Sequence, residues 1–65
     1  MPSNVRFAVV RKLFGDAGWS LRHVRGSHHI FAKPGRRPYP VPVHKGQVKH
    51  AYVREIKKLL ARDDA

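Results

Sequence analysis

The 65-residue chain contains no cysteine and only four acidic residues, and each shortage narrows what the protein can be. Without cysteine there are no disulfides and no thiolate metal sites, so the fold rests on packing alone and suits a reducing compartment. The acids Asp16, Glu55, Asp63 and Asp64 leave residues 17–54 free of negative charge, which removes paired-carboxylate chemistry from the middle of the chain. Long apolar runs are missing too. No stretch approaches the ~20 residues of a membrane span, and the opening residues lack the apolar run of a secretion signal, so the expectation is a cytoplasmic protein without a membrane partner. A glycine-rich phosphate loop, a Gly-x-Ser-x-Gly elbow and a Cys/His pair are likewise absent.

Positive charge is what the chain has in excess. Fourteen Lys and Arg give a formal net charge of +10. Arg22, Arg25, Lys33, Arg36, Arg37, Lys45, Lys49 and Arg54 all lie inside the acid-free stretch, so the field is centred there. Such a field attracts nucleic acid, an anionic membrane or an acidic protein. The length predicts one domain, residues 1–65, and a chain this short buries only about 60% of its unfolded surface.

Hydrophobic periodicity predicts an α+β fold. Phe7, Val10, Leu13, Phe14 and Ala17 recur at three- and four-residue spacing, which predicts a helix over residues 4–17, capped by Ser3 and ended by Gly18. Residues 19–25 and 27–33 are strand-length segments broken at Gly26, as in an antiparallel hairpin. After a turn at residues 34–37, prolines 38, 40 and 42 alternate with Tyr39, Val41 and Val43. Their missing amide hydrogens would all face one side, so this segment reads as an edge strand that resists further pairing. Residues 45–49 read as a polar loop and residues 50–62 as a second helix, with Tyr52, Val53, Ile56, Leu59 and Leu60 on one stripe and Arg54, Lys57, Lys58 and Arg62 opposite. Both apolar stripes need the sheet as cover. The expected order is therefore α-β-β-β-α, a three-stranded antiparallel sheet with both helices on one face and the other face open.

Gly26-Ser27-His28-His29-Ile30-Phe31 carries the chemistry. Imidazole is the side chain whose ordinary pKa lets it both take and give a proton near neutrality, and here it sits in a field that holds polyanions. On a strand His28 and His29 point to opposite faces, so they cannot chelate one ion together. His23 and His44 on neighbouring strands still leave a site short of three ligands, so neither a metal nor a cofactor is expected. A neutral imidazole among cations suits cleavage of RNA: it removes the 2′-hydroxyl proton, the alkoxide attacks the adjacent phosphorus, and Arg or Lys stabilises the charge that develops. On residue chemistry alone His28 is either that base or a phosphate contact.

These residues also carry a resemblance. Gly26-Ser27-His28-His29-Ile30-Phe31, preceded by Gly18-Trp19 and a strand ending in Val24-Arg25, then followed by Pro34-Gly35-Arg36-Arg37 and Val41-Pro42-Val43-His44, resembles the HicA family of toxin ribonucleases. The likeness extends from Leu13 to the closing helix at Tyr52-Val53-Arg54-Glu55-Ile56. It departs at one extra residue before Trp19 and at Ala51-Tyr52, where some members carry Gly-Thr. The resemblance implies a double-stranded-RNA-binding-domain-like fold. It further implies the toxin of a type II toxin–antitoxin system, a metal-independent mRNA endoribonuclease whose catalytic histidine corresponds to His28. The implied partners are mRNA and a cognate HicB-type antitoxin that masks the histidine, with the toxin monomeric when free and hetero-oligomeric with its antitoxin.

The remaining candidates follow from pattern. His29, on the opposite face, takes a packing or solvent role. His44 and Ser27 are possible auxiliaries, the first as phosphate ligand or proton donor and the second chiefly to fix the turn. Arg22, Arg25, Lys33, Arg36, Arg37 and Lys45 are assigned to the RNA backbone. Trp19 and Phe31 are expected in the core, leaving Tyr39 as the aromatic open to base stacking. Two other readings compete: a non-catalytic RNA- or DNA-binding module of the same fold, and an interaction domain that uses its basic face on an acidic protein.

Overall fold

The first helix begins later than its apolar period suggests. In the computed structural model, which describes residues 4–63, strand β1 is Val5–Arg6 and helix α1 is Phe7–Asp16. Arg6 occupies the N-cap in an extended conformation and offers no side-chain hydrogen bond. Instead the Phe7 amide donates to the Gly46 carbonyl at 2.8 Å, so a distant loop satisfies the first helical donor. The expected cap at Ser3 and the tail beyond Asp63 lie outside the described residues.

The C-terminus of α1 is closed by backbone geometry. The Trp19 amide donates to Phe14 O at 2.9 Å and the Gly18 amide to Gly15 O at 3.1 Å, the two bonds of a Schellman motif. Gly18 has φ +88, which a side chain would strain, and a Cβ there would lie 3.4 Å from Lys33 Cε. The apolar contact expected of the motif is also present: Trp19 packs edge-on against Phe14, ring centroids 5.5 Å apart. Trp19 is thereby buried, as the sequence predicts.

The sheet consists of β2 Ser20–Arg25, β3 His28–Ala32 and β4 Tyr39–Pro42, in that order and antiparallel throughout. The turn between β2 and β3 is Gly26-Ser27. Gly26 has φ +56 while Ser27 stays on the ordinary side, the combination of a type II′ turn, whose twist suits a hairpin. Strand β4 pairs with β3 on one side only: His28 lies opposite Pro42, His29 opposite Val41, Ile30 opposite Pro40 and Phe31 opposite Tyr39. The Val43 amide extends that pairing by donating to Ser27 O at 2.7 Å. Alternation turns the nitrogens of Pro40 and Pro42 outward, so β4 is the expected proline edge.

The expected polar loop at residues 45–49 contains structure too local for periodicity to register. His44 and Gln47 exchange backbone hydrogen bonds of 2.9 Å around Lys45-Gly46, both at positive φ, and β5 Gln47–Val48 then pairs with β1. Val48 joins the core. Helix α2, His50–Asp63, follows directly and buries Val53, Ile56 and Leu60.

Both helices cover one face of the sheet. Phe14 stacks on Phe31 with centroids 4.2 Å apart and planes 10° from parallel, Phe7 lies over His29 at 4.4 Å, and Phe14 meets Tyr39 at 5.9 Å. Tyr39 therefore belongs to the core face, which corrects the expectation that it is open for base stacking. Burial raises its phenolic pKa, and Glu55 and then Tyr52 on α2 add to the effect. With Val10, Phe14, Phe31, Val41, Val48 and Ile56 fully buried, one apolar layer lies between helices and sheet. The molecule is only 15 Å across its thinnest dimension, so no second layer of described residues covers the other face.

Candidate active site

The uncovered face takes its side chains from alternate strand positions. His29 and Phe31 point into the core, so His28, Ile30 and Ala32 point outward, as do Pro40 and Pro42 opposite them. His28 is exposed and Ile30 half-buried beside it. His29 takes the packing role: its ring lies against Phe7, and its Nδ1 is buried without a hydrogen-bond partner among the described residues.

Strand β2 reaches the same face by means of a bulge. Leu21 lies opposite Phe31, but His23 lies opposite Ile30, so Arg22 is an extra residue in the ladder. Strict alternation outward from the turn would put Leu21 on the open face and Arg22 over the core. The inserted residue resets the phase, keeping Leu21 inside while His23 and Arg25 stand outside. Sequence reasoning missed this, although the spacing of Leu21 and Val24, three rather than two, was a visible sign.

The consequence is a direct pairing of Arg25 with His28 across the hairpin. Opposite residues on neighbouring strands have Cβ atoms about 4.5–5.5 Å apart, so one phosphate can meet both side chains. The sequence predicted Arg25 as a backbone contact without identifying it as the neighbour of His28. Both are exposed. The described acids with placed side chains, Asp16 and Glu55, are engaged on the helices with Lys12 at 3.4 Å and Lys58 at 3.9 Å, so neither carboxylate opposes the charge of this face.

The other predicted site residues fall into two groups. Ser27 and His44 belong to the His28 end. Ser27 is half-buried in the turn and its carbonyl accepts the Val43 amide, while His44 is exposed two residues beyond Pro42, the partner of His28. Lys45 follows in the tight turn. Arg22, Lys33 and Arg36 gather at the opposite end around a shallow cavity of about 350 Å³, also lined by Ser20 and Ala32. Lys33 Nζ donates to Ala17 O at 2.9 Å there, and Arg37 is exposed in the adjoining turn. Among the described residues no three His, Asp or Glu side chains come together as a metal site would need. No helix among those residues is long and apolar enough to cross a membrane.

Comparison with known proteins identifies the family of the chain. The model of the family described as "HicA toxin of bacterial toxin-antitoxin" matches residues 8–62, which includes every element that forms the open face. Comparison with curated proteins and with solved structures returns no match. With 8–62 of 65 residues matched and an α+β arrangement that fits the family's double-stranded-RNA-binding-domain-like fold, the chain belongs to the HicA family of ribonuclease toxins.

Proposed function

We propose that the protein is a metal-independent mRNA endoribonuclease in which His28 is the catalytic base and Arg25 the cation beside the scissile phosphate. The observation that carries this reading is the cross-strand pairing of His28 with Arg25 on an exposed face free of acids. Neutral His28 takes the proton from a ribose 2′-oxygen, that oxygen bonds to the adjacent phosphorus, and the bond from phosphorus to the 5′-oxygen breaks. The products are a 2′,3′-cyclic phosphate and a 5′-hydroxyl, the latter protonated by the imidazolium or by His44. The Arg25 guanidinium stabilises the negative charge on the phosphorus oxygens as the new bond forms.

Arg22, Lys33, Arg36, Arg37 and Lys45 hold the RNA backbone, and Ser27 fixes the turn that presents His28. The work is done in the cytoplasm, where the mRNA is. The toxin is monomeric when free. It is restrained by a HicB-type antitoxin that covers the same face with acidic groups and forms a hetero-oligomer.

The test is His28→Ala assayed on RNA in EDTA. General acid–base catalysis contributes about 10²- to 10⁴-fold, so cleavage should fall by that factor while RNA affinity and the thermal midpoint stay at wild-type values. Induced wild-type protein should halt growth and the variant should not. Cleavage by the variant at the wild-type rate rules out His28 as the base, and RNA binding without cleavage by either protein favours a non-catalytic module.

A further inference from the structure

The cavity at the far end of the open face has a different composition from the His28 end. Arg22, Lys33 and Arg36 line it, with Ser20 between the cations and no acid in the lining. Lys33 is held by a backbone carbonyl, and Arg36 makes a longer, exposed contact with the carbonyl of its neighbour. The Ala17 carbonyl accepts from Lys33 Nζ at 2.9 Å, and the Gly35 carbonyl accepts from Arg36 Nη1 at 3.4 Å. Arg22 is directed there because it is the bulged residue of β2. A concave site of three cations and a hydroxyl, set into a turn, is the donor set for a phosphate.

Its position relative to His28 gives the cavity a meaning. His28 and Ala32 are the two ends of β3, four residues apart on the same face, and at about 3.3 Å per residue the separation is about 13 Å. A stacked nucleic-acid strand advances about 3.4 Å per nucleotide, so that length matches roughly four nucleotides, and fewer as the backbone extends. Half-buried Ile30 and exposed Pro40 lie between the ends and form an apolar platform for a base.

We infer that this cavity is a remote phosphate subsite for single-stranded RNA, which lies along β3 with one phosphate at Arg25 and His28 and another, two to four nucleotides away, between Arg22, Lys33 and Arg36. The inference rests on reading the open face as the RNA-binding face. It adds a direction of travel and a minimum length: very short oligonucleotides reach only one end, and longer ones span both.

Affinity measured against length tests this independently of catalysis. The probes are 2′-O-methyl oligouridylates of two, four and six nucleotides, which lack the nucleophile and cannot be cleaved. Wild-type protein should bind the hexamer at least tenfold more tightly than the dimer, with most of the gain present by four nucleotides. Arg22→Gln/Arg36→Gln, at two exposed positions, should weaken hexamer binding at least tenfold and dimer binding less than twofold. Its slope of log affinity against log salt should be shallower by about 0.7, the contribution of the one single-strand phosphate that the subsite no longer neutralises. The charge-matched control Arg11→Gln/Lys57→Gln, on the outer faces of the helices, should bind as wild type does. Equal loss at every length, no loss, or the same loss in the control overturns the subsite. Cleavage of unmodified hexauridylate is measured alongside. If length-dependent binding is seen without cleavage, the subsite stands and the nuclease reading falls, while cleavage without length dependence has the opposite meaning.

Discussion

The two faces of the sheet are built from the same three strands and differ in almost every physical respect. His28 and His29 are adjacent in the chain. One is exposed beside Arg25, and the other lies under Phe7 within the apolar layer. The inner face holds Phe31, Val41 and Tyr39 against Phe14, where any change of volume is felt in stability. The outer face holds imidazole, guanidinium and proline, with no layer of described residues above it. A domain of this size, with ~3–10 kcal/mol of stability in all, thus places its stability in one face and its binding chemistry in the other. Substitutions should separate the two cleanly.

The largest effect on stability is expected from Phe14→Ala, which removes the ring that stacks on Phe31 and meets both Trp19 and Tyr39. The cost should be about 3–5 kcal/mol, enough to leave a large share of the chain unfolded at 37 °C. Circular dichroism during a thermal scan measures it. His28→Ala is the counterpart, and a midpoint lowered as far as that of Phe14→Ala would end the distinction between the faces.

A smaller and opposite effect is expected at His29. Replacing it with Leu removes a buried nitrogen that has no hydrogen-bond partner among the described residues and keeps apolar contact with Phe7. The gain should be about 1 kcal/mol, or roughly 4–8 °C in thermal midpoint, with RNA cleavage unchanged. A loss of cleavage with the fold intact would show that the inner histidine contributes to the chemistry.

The smallest effect is confined to alkaline solution. The folded state raises the pKa of Tyr39, so above the ordinary value of about 10 the unfolded chain releases this proton more readily than the folded one. The stability from the neutral phenol is complete below that value and declines as pH rises toward the folded pKa. Tyr39→Phe should therefore flatten the fall in stability above pH 10 and leave neutral pH nearly unaffected. Chemical denaturation at pH 7 and at pH 10.5 compares the two, and parallel curves would mean that Tyr39 does not govern the alkaline limb.

How much of the molecule is legible in its sequence depends on how many residues each signal spans. Both helices and the proline edge extend over many positions, and their periodicity is plain. The opposite facing of His28 and His29 follows from the strand alone. The pairing of Val5–Arg6 with Gln47–Val48 is two residues long, too short for any period, and it alone explains why α1 begins at Phe7. The bulge at Arg22 is one residue, yet it determines the facing of Leu21 and so the phase of the whole strand relative to the turn. Tyr39, an aromatic between two prolines, looks exposed until Phe14 of α1 is seen to meet it. In the candidate site, His28 is legible from its motif. Its neighbour Arg25 is legible only through the register, and the gathering of Arg22, Lys33 and Arg36 requires the folded turn.

The two-residue turn at Gly26-Ser27 also bears on when the site takes shape. Arg25 and His28 are three positions apart, so the loop that joins them is about as short as a chain can close and its closure entropy is small. Hairpins of this kind form in ~1–10 μs, ahead of the long-range contacts that bring the N-terminal segment to Gln47–Val48. The geometry of the pair is thus a property of low contact order. It is encoded within four consecutive residues, and the helices serve to keep the hairpin in place once it has formed.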